Sequence, residues 1–477
     1  MRGDIELSSE RLLDFLTTRR WFGAKGREPR SARVVDAVPV GDAGWIVRVD
    51  VTLRDGIERY QLTLSIRGDE LHEGLEDETF RDIVRDAIAK GVALAGPDVR
   101  WAPEWIGSPP HELPALRLAG TEYSNTSLIF GDLAIMKLFR RLERGDHPEA
   151  EVARFLTTRA HFPHIPALLA EVHFDSPGGG EVAAILQRFL AGSRDAWSVV
   201  IERGREGMRA RRRARIPFAA EAAALGEVTR AMHVALASDE RDAAFAPEPA
   251  TAADLAHWAS AVREASDRAL TTLERSLASG SLPGDVADDA KTALGRRQAA
   301  SARIEGWLAD IGDDVGMRMR HHGDYHLGQV LESGAGAFMV IDFEGEPARP
   351  LEERRAKHSA LRDVAGMLRS FAYAAATCAD AVREEIGERN AKRRAARWER
   401  SLREAFLRGY LPEGREHPPF LPHARARLDV LLELFEVEKL FYELSYELNN
   451  RPTWVWIPLR GVISRFRTRS SGARGDS

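Results

Sequence analysis

Two aspartates, Asp324 and Asp342, stand 18 positions apart in HHGDYHLGQVLESGAGAFMVIDFEGEP, each at the end of a short hydrophobic stretch, with Gln329 five residues after the first. One aspartate in such a setting is an ordinary turn or cap residue. The whole string suits something more specific, phosphoryl transfer. One carboxylate orients an attacking hydroxyl and accepts its proton, while a second carboxylate and an amide oxygen hold Mg²⁺ against nucleotide phosphates. On this reading one of Asp324 and Asp342 is the base, and the other joins Gln329 on the metal. Strand ends would put these oxygens in a cleft.

The rest of the chain must position them. It has 477 residues, 68 Lys+Arg against 73 Asp+Glu, and a formal charge of −5. That length favours two or three lobes, and the charge balance gives no general nucleic-acid footprint. The run RARRRAR (Arg209 to Arg215) lacks interleaved aromatics and reads as a solvated linker or helix face. A single cysteine, Cys378, excludes a disulfide framework and reads as a small buried hydrophobe. No stretch approaches the roughly 18 apolar residues of a membrane span, and MRGDIELSSERLLDFL lacks an apolar signal core, so a cytoplasmic protein is expected. Only seven residues are lysine against 61 arginine, so a lysine inside an apolar strand, as Lys137 is in LAIMKLFRR, invites a functional reading.

A short helix precedes strand signals from residue 31 to 68, a helical stretch closed by Gly96-Pro97 follows, and the loop-rich PEWIGSPPHELP at 103–114 reads as a subdomain boundary. TSLIF, Gly131-Asp132 and LAIMKLFRR read as a hairpin. HPEAEVARFLTT reads as a helix with Pro148 in its first turn. ALLAEVHF and VAAILQRFL are further strands. Amphipathic helices then dominate, interrupted by a small β-rich island at residues 317–344. The expected fold is α+β: a cap subdomain over 1–110, a β-rich lobe over 111–190, a mainly helical lobe over 191–469, and a disordered polar tail at 470–477.

HGDxHLGQ with IDFEGEP resembles the eukaryotic-like kinase and aminoglycoside phosphotransferase superfamily, whose catalytic loop reads H-G-D-x-x-x-x-N and whose metal motif reads D-F-G. Gln329 stands where most relatives have Asn, and Asp342-Phe343-Glu344 replaces D-F-G. With RPLEERRAKHSALRDVAGMLRSFAYAA, YELNNRPTWVWIPLRG and the N-terminal RRWFGAKGR, the chain is more narrowly similar to bacterial maltokinases. The resemblance implies a bilobal kinase-like fold with an added cap and use of ATP and Mg²⁺. It implies Asp324 as the base and Gln329 and Asp342 as the metal ligands, with Glu344 able to assist. It also implies phosphorylation of maltose to maltose 1-phosphate, feeding trehalose-to-glycogen metabolism, and a partnership with trehalose synthase.

The resemblance also places Lys137 at the nucleotide phosphates, where its ammonium needs an anionic partner. Glu151 on the following helix is the expected partner, with Glu149 in reserve. Ser124, Asn125, Thr126 and Ser127 replace the usual glycine-rich phosphate loop and could form an anion nest. Gln187 and Phe189 sit where backbone groups would meet adenine. His326 could bond a sugar hydroxyl or brace the loop; His321 and His322 read as structural. Sugar binding is expected from Glu443, Tyr446, Asn450, Arg451 and Trp454, beside Tyr442, while Arg362 and Asp363 read as an ion pair bracing the loop. Lys25 in RRWFGAKG lacks the phosphate-loop pattern, and Trp21 and Phe22 should anchor a turn there. The alternative acceptor is a cationic aminosugar, glucosamine or an aminoglycoside, for which Glu433, Glu436, Glu438, Glu443 and Glu447 supply candidate acids. A non-catalytic module docked on a trehalose-metabolising enzyme is the rival from another class, and intact Lys137, Asp324 and Asp342 oppose it.

Overall fold

The computed structural model describes residues 5–119, 124–177, 179–210, 216–312, 314–334, 337–346, 349–414 and 416–466. The expected tail at 470–477 and most of the arginine run lie outside them. The chain divides into two compact units, Met1–Ser193 with Ile341–Arg354, and Arg194–Val340 with Arg355–Ser477.

The first unit holds two antiparallel sheets. In the cap, α1 (Ser9–Thr18) precedes the hairpin strands β1 (Ser31–Val40), β2 (Gly44–Leu53), β3 (Gly56–Arg67) and β4 (Glu70–Glu73). Next come α2 (Glu78–Lys90), β5 (Leu94–Ala95), β6 (Arg100–Trp105), β7 (Leu116–Leu118), β8 (Asn125–Phe130), β9 (Ala134–Phe139) and β10 (Arg141–Leu142). α3 (Pro148–Thr158), β11 (Leu168–Asp175) and β12 (Glu181–Arg188) complete it. The cap sheet runs β1-β2-β3-β10 with β4 on β3, and the larger sheet runs β5-β6-β11-β12-β9-β8-β7. Alternation in β9 decides its two faces. Ala134, Met136 and Leu138 enter a core shared with Val38, Ile46 and the α2 face Phe80, Val84 and Ile88. Phe139, two residues on from Lys137, packs instead with Ile185 and with Ala150 and Ala153 of α3. Asp77 caps α2 by accepting from the Phe80 N–H, and Gly91 ends it in the left-handed region, as capping rules require. Emptying the fully buried Phe80 site would cost about 3–5 kcal/mol.

In the second unit β13 (Arg194–Asp195) leads into α4 (Ala196–Arg209) and α5 (Ala219–Leu236), β14 (Glu248–Pro249), then α6 (Ala252–Ala278), α7 (Gly284–Leu294) and α8 (Arg297–Ile311). The β-rich island appears as β15 (Met317–Arg318), β16 (Val330–Glu332) and β17 (Phe338–Val340); after α9 (Leu351–Arg355), which falls in the first unit except for Arg355, come α10 (Leu361–Ile386), α11 (Glu388–Tyr410), α12 (Arg425–Asn450) and α13 (Trp456–Arg465). α10 is the buried centre, with Val364, Met367, Leu368 and Phe371 fully enclosed. α5 and α11 meet backbone to backbone: a Cβ on Gly226 would fall 2.1 Å from Phe406 O, and one on Gly409 would fall 2.0 Å from Ala223 O. Cys378 is buried and unoxidised, as its apolar surroundings suggested.

The division corrects the expected single lobe over 191–469. Ile341–Arg354 groups with the first unit because its charged residues find partners there, Asp342 and Glu344 on Lys137 and Arg354 on Glu143. No helix among the described residues is long and apolar enough to cross a membrane.

Candidate active site

Lys137 lies in β9, on the face opposite Met136 and Leu138. Its Nζ stands 2.6 Å from Glu149 Oε2, 2.6 Å from Asp342 Oδ1 and 3.3 Å from Glu344 Oε2. Burial works against its charge, but Asp342, Glu149 and Glu344 together lift its pKa well above the ordinary lysine range. Burial pushes the Glu149 carboxyl up to about 8, with Asp342 and Glu344 adding to the rise and Lys137 opposing it. Glu149, not the expected Glu151, is therefore the helix partner. The two residues are two positions apart on α3, about 200° around the helix, so one only can face β9.

Asp342 has φ 65°, a left-handed conformation that costs a non-glycine residue about 1–3 kcal/mol. It turns the chain out of β17 and brings the Asp342 carboxylate to Lys137. One oxygen each from Glu149, Asp342 and Glu344 lies within 4.8 Å of the others. Such hard oxygen donors fit Mg²⁺, and Asp342 and Glu344 are the two placed by the chain segment expected to carry the metal.

The serine-rich string divides by register. Asn125 pairs with Phe139, Thr126 with Leu138 and Ser127 with Lys137, so Asn125 and Ser127 share the face of Lys137 and Thr126 takes the other. Asn125 Nδ2 donates to Glu344 Oε2 at 3.3 Å and to Ser124 Oγ at 3.3 Å. Thr126 corrects the expected phosphate contact: its hydroxyl accepts from Arg140 Nε at 2.6 Å on the cap side. The Phe189 N–H donates to Leu133 O at 3.0 Å and the Arg188 N–H to Ala167 O at 2.9 Å. The sheet ladder thus takes the Phe189 donor expected for adenine, and any contact from Phe189 to a base has to use its carbonyl or ring. Half-buried Gln187 pairs with Ile135 and Leu168.

Asp324 and Gln329 belong to the second unit, on the loop between β15 and β16. The loop is held by its backbone. Asp363 of α10 accepts the His322 N–H at 2.7 Å on Oδ2 and the Gly323 N–H at 3.0 Å on Oδ1. The Leu327 N–H donates to Ser370 Oγ at 3.1 Å, and Tyr325 OH lies 3.0 Å from Thr229 Oγ1. Gly366 lets the loop approach, since a Cβ there would meet Tyr325 O at 2.6 Å. Asp363 also faces His233 Nε2 at 3.1 Å, and Tyr410 OH lies 2.9 Å from His233 Nδ1. Burial opposes the Asp363 charge, but the His233 bond and the neighbouring histidines hold its pKa far below the usual carboxylate range. The expected Arg362–Asp363 pair is not formed. Arg362 bonds Glu438 at 2.5 Å instead, because adjacent helix positions point about 100° apart.

Lys439 of α12 stands 3.3 Å from Asp324 Oδ1, a site residue that the motifs did not single out although it is one of seven lysines. Burial would raise the Asp324 pKa, yet Lys439, His326 and His322 bring it below the ordinary range. His326 accepts the Gly328 N–H at 3.0 Å through Nδ1, and its Nε2 is 3.8 Å from Asp324 Oδ2. It braces the loop and faces the acid together. Gln329 is half-buried, its N–H on His326 O at 2.9 Å.

The expected sugar residues cluster at the end of α12. Tyr446 is 42% exposed and stacks on Tyr442 with centroids 6.3 Å apart. The Arg451 guanidinium lies over both Tyr446 and Trp454, at 5.2 and 5.3 Å. Asn450 Nδ2 donates to Tyr446 O at 3.0 Å. The acids considered for a cationic acceptor each meet an arginine: Glu443 with Arg369, Glu447 with Arg451, Glu438 with Arg362, Glu436 with Arg403 and Arg465, and Glu433 with Arg465.

Comparison with known proteins adds one domain match, two sequence relatives and two solved chains. Residues 15–83 match the maltokinase N-terminal cap domain. A glucosamine kinase of Mycolicibacterium smegmatis is 28% identical over 71% of this chain and 76% of its own length. One of Streptacidiphilus jiangxiensis is 30% identical over 52% of each. A solved glucosamine kinase superposes with TM-score 0.64 at 23% identity over 92% of this chain and 93% of its own. A second solved chain, in complex with glucosamine, ADP and inorganic phosphate, gives 0.62 at 22% identity over 92% of this chain and 94% of its own. The fold is therefore kinase-like, with a β-rich N-terminal region, a helical C-terminal part and an added cap. The named relatives are glucosamine kinases, whereas the motifs pointed first to maltokinases.

Proposed function

We propose that this chain is an ATP-dependent sugar kinase that phosphorylates a hexosamine, glucosamine being the first candidate. The observation that carries the kinase reading is the Lys137 ammonium set between Glu149 and Asp342 at 2.6 Å. Lys137 would meet nucleotide phosphate oxygens, oriented by Glu149, and Asn125, Ser124 and Ser127 would add amide and hydroxyl groups. Asp342 and Glu344 would hold Mg²⁺, with Gln329 a further oxygen donor; the ion supplies neutralisation of the phosphate charge. Asp324, kept charged by Lys439, would orient the acceptor hydroxyl and take its proton. His326, Glu443, Tyr446, Asn450, Arg451 and Trp454 remain the residues proposed for the sugar. The names of the curated and solved relatives support the hexosamine.

Maltose, phosphorylated at its anomeric hydroxyl, is the second reading, and with it goes the partnership with trehalose synthase. The cap match over 15–83 favours it. So does the pairing of the α12 acids with arginines, which leaves those carboxylates little surplus charge for an ammonium group. A phosphorylation screen of glucosamine, maltose, glucose and kanamycin with ATP·Mg²⁺ separates the readings. Turnover of glucosamine alone supports the first and turnover of maltose alone the second. No turnover of any sugar sinks the sugar-kinase reading.

A further inference from the structure

Arg140 follows β9 three residues after Lys137, on the opposite face, and is 1% exposed. Its Nε donates to Thr126 Oγ1 at 2.6 Å, one Nη to Thr63 Oγ1 at 3.3 Å and the other to Glu73 Oε2 at 3.0 Å. Its Cζ lies 4.7 Å from the Trp21 ring centroid. Thr63, Glu73 and Trp21 belong to the cap, and Thr126 belongs to β8, whose neighbouring residues Asn125 and Ser127 face Lys137. The same cap strand grips the backbone here: the Gln61 N–H donates to Arg140 O at 2.7 Å, and Gln61 Nε2 donates to Phe139 O at 3.0 Å and Ala183 O at 2.9 Å. The Trp101 indole N–H fixes the Gln61 amide from the larger sheet at 3.1 Å.

A guanidinium this deeply buried is a costly way to fill a core, since an apolar side chain of similar volume would be neutral or better. What the guanidinium adds is direction. Its planar fork fixes several partners at once, and here one partner is on the hairpin and the others on the cap. We infer that Arg140 is a positioning residue: through Thr126 it ties the hairpin that carries Asn125 and Ser127 to the cap sheet, so that the cap sets the geometry of nucleotide binding. The inference rests on the kinase reading above for what the hairpin binds, but the tie itself can be tested without it.

Two variants of the full chain separate the parts. Thr126→Val removes the acceptor on the hairpin and leaves the cap contacts of Arg140 intact. Glu73→Gln weakens the cap anchor and leaves Thr126 in place; should it fail to fold, Thr126→Val alone decides. Hydrogen exchange of the amides of residues 125–130, without nucleotide, reads the tie. Faster exchange in the variants is expected, and wild-type protection overturns it. In steady-state kinetics the KM for ATP·Mg²⁺ should rise by roughly tenfold or more, the range of one lost hydrogen bond to a charged group, while the acceptor KM stays near wild type. A purely structural Arg140 would lower the thermal midpoint and leave the two KM values in their original ratio, and that outcome overturns the positioning role. If the wild-type chain binds no ATP·Mg²⁺, the kinase reading fails, and exchange still reports whether the hairpin is tied to the cap.

Discussion

Lys439 Nζ lies 3.3 Å from Asp324 Oδ1, joining residues separated by 115 positions of sequence. The lysine is steadied by the Tyr442 ring, whose centroid is 4.8 Å from Nζ. Burial alone would neutralise Asp324 at higher pH. The Lys439 charge, with His326 and His322, reverses that tendency. The pair thus keeps the Asp324 carboxylate deprotonated where solvent gives little help.

Removing that charge gives the first prediction. A folded-state pKa held low by Lys439 must rise in Lys439→Met. The acid limb of the kcat/KM profile for the acceptor should therefore move to higher pH, with the loss greatest at about pH 5 and least near pH 8. A limb that stays in place would show that Asp324 draws its charge from elsewhere.

Asp324→Asn keeps shape and removes the group proposed as the base. Turnover should fall by about 10²–10⁴-fold, with the thermal midpoint held, because Asp324 contributes nothing to the loop's backbone bonds with α10. Near-normal turnover would remove it from the chemistry.

Glu149 and Glu151 offer a matched pair of substitutions. Glu149→Gln replaces the carboxyl group bonded to Lys137 and should lower kcat/KM for ATP by about tenfold or more above about pH 8, where that group is ionised; Glu151→Gln should stay much closer to wild type. Equal effects would contradict the assignment of the helix partner.

Asp363 links stability to pH. Its folded-state pKa is depressed, so the stability it adds is present above the unfolded value near 3.8 and is lost as pH falls through the lower folded value. Denaturant midpoints should drop steeply below about pH 4 in the wild type. Asp363→Asn should abolish that titrating contribution and, by weakening its acceptor bonds to the loop that carries Asp324, lower turnover as well. A wild-type acid slope retained in the variant would assign the effect to other carboxylates.

Chelation of divalent ions should abolish turnover if Asp342 and Glu344 hold Mg²⁺. Asp342→Asn should then raise the Mg²⁺ concentration for half-maximal rate by about tenfold or more. Turnover in excess chelator would exclude the metal role.

Some of this was legible in the chain before folding. A lysine among Ile135, Met136, Leu138 and Phe139 announces a buried charge in need of anions, and alternation along β9 determines which face carries it. Pro148 and the acids after it mark the start of the partner helix. The strings around Asp324 and Asp342 identify groups suited to phosphoryl chemistry because their residue types and spacing are local properties. Tertiary structure decided the rest. Glu149 prevails over Glu151 by the rotation of a helix against a strand, and Thr126 turns to the cap through its pairing with Leu138. Lys439 reaches Asp324 only because α12 packs beside the loop that carries it. Long-range contacts of this kind follow from the sum of packing and hydrogen-bond choices across the fold, so no short window of sequence contains them.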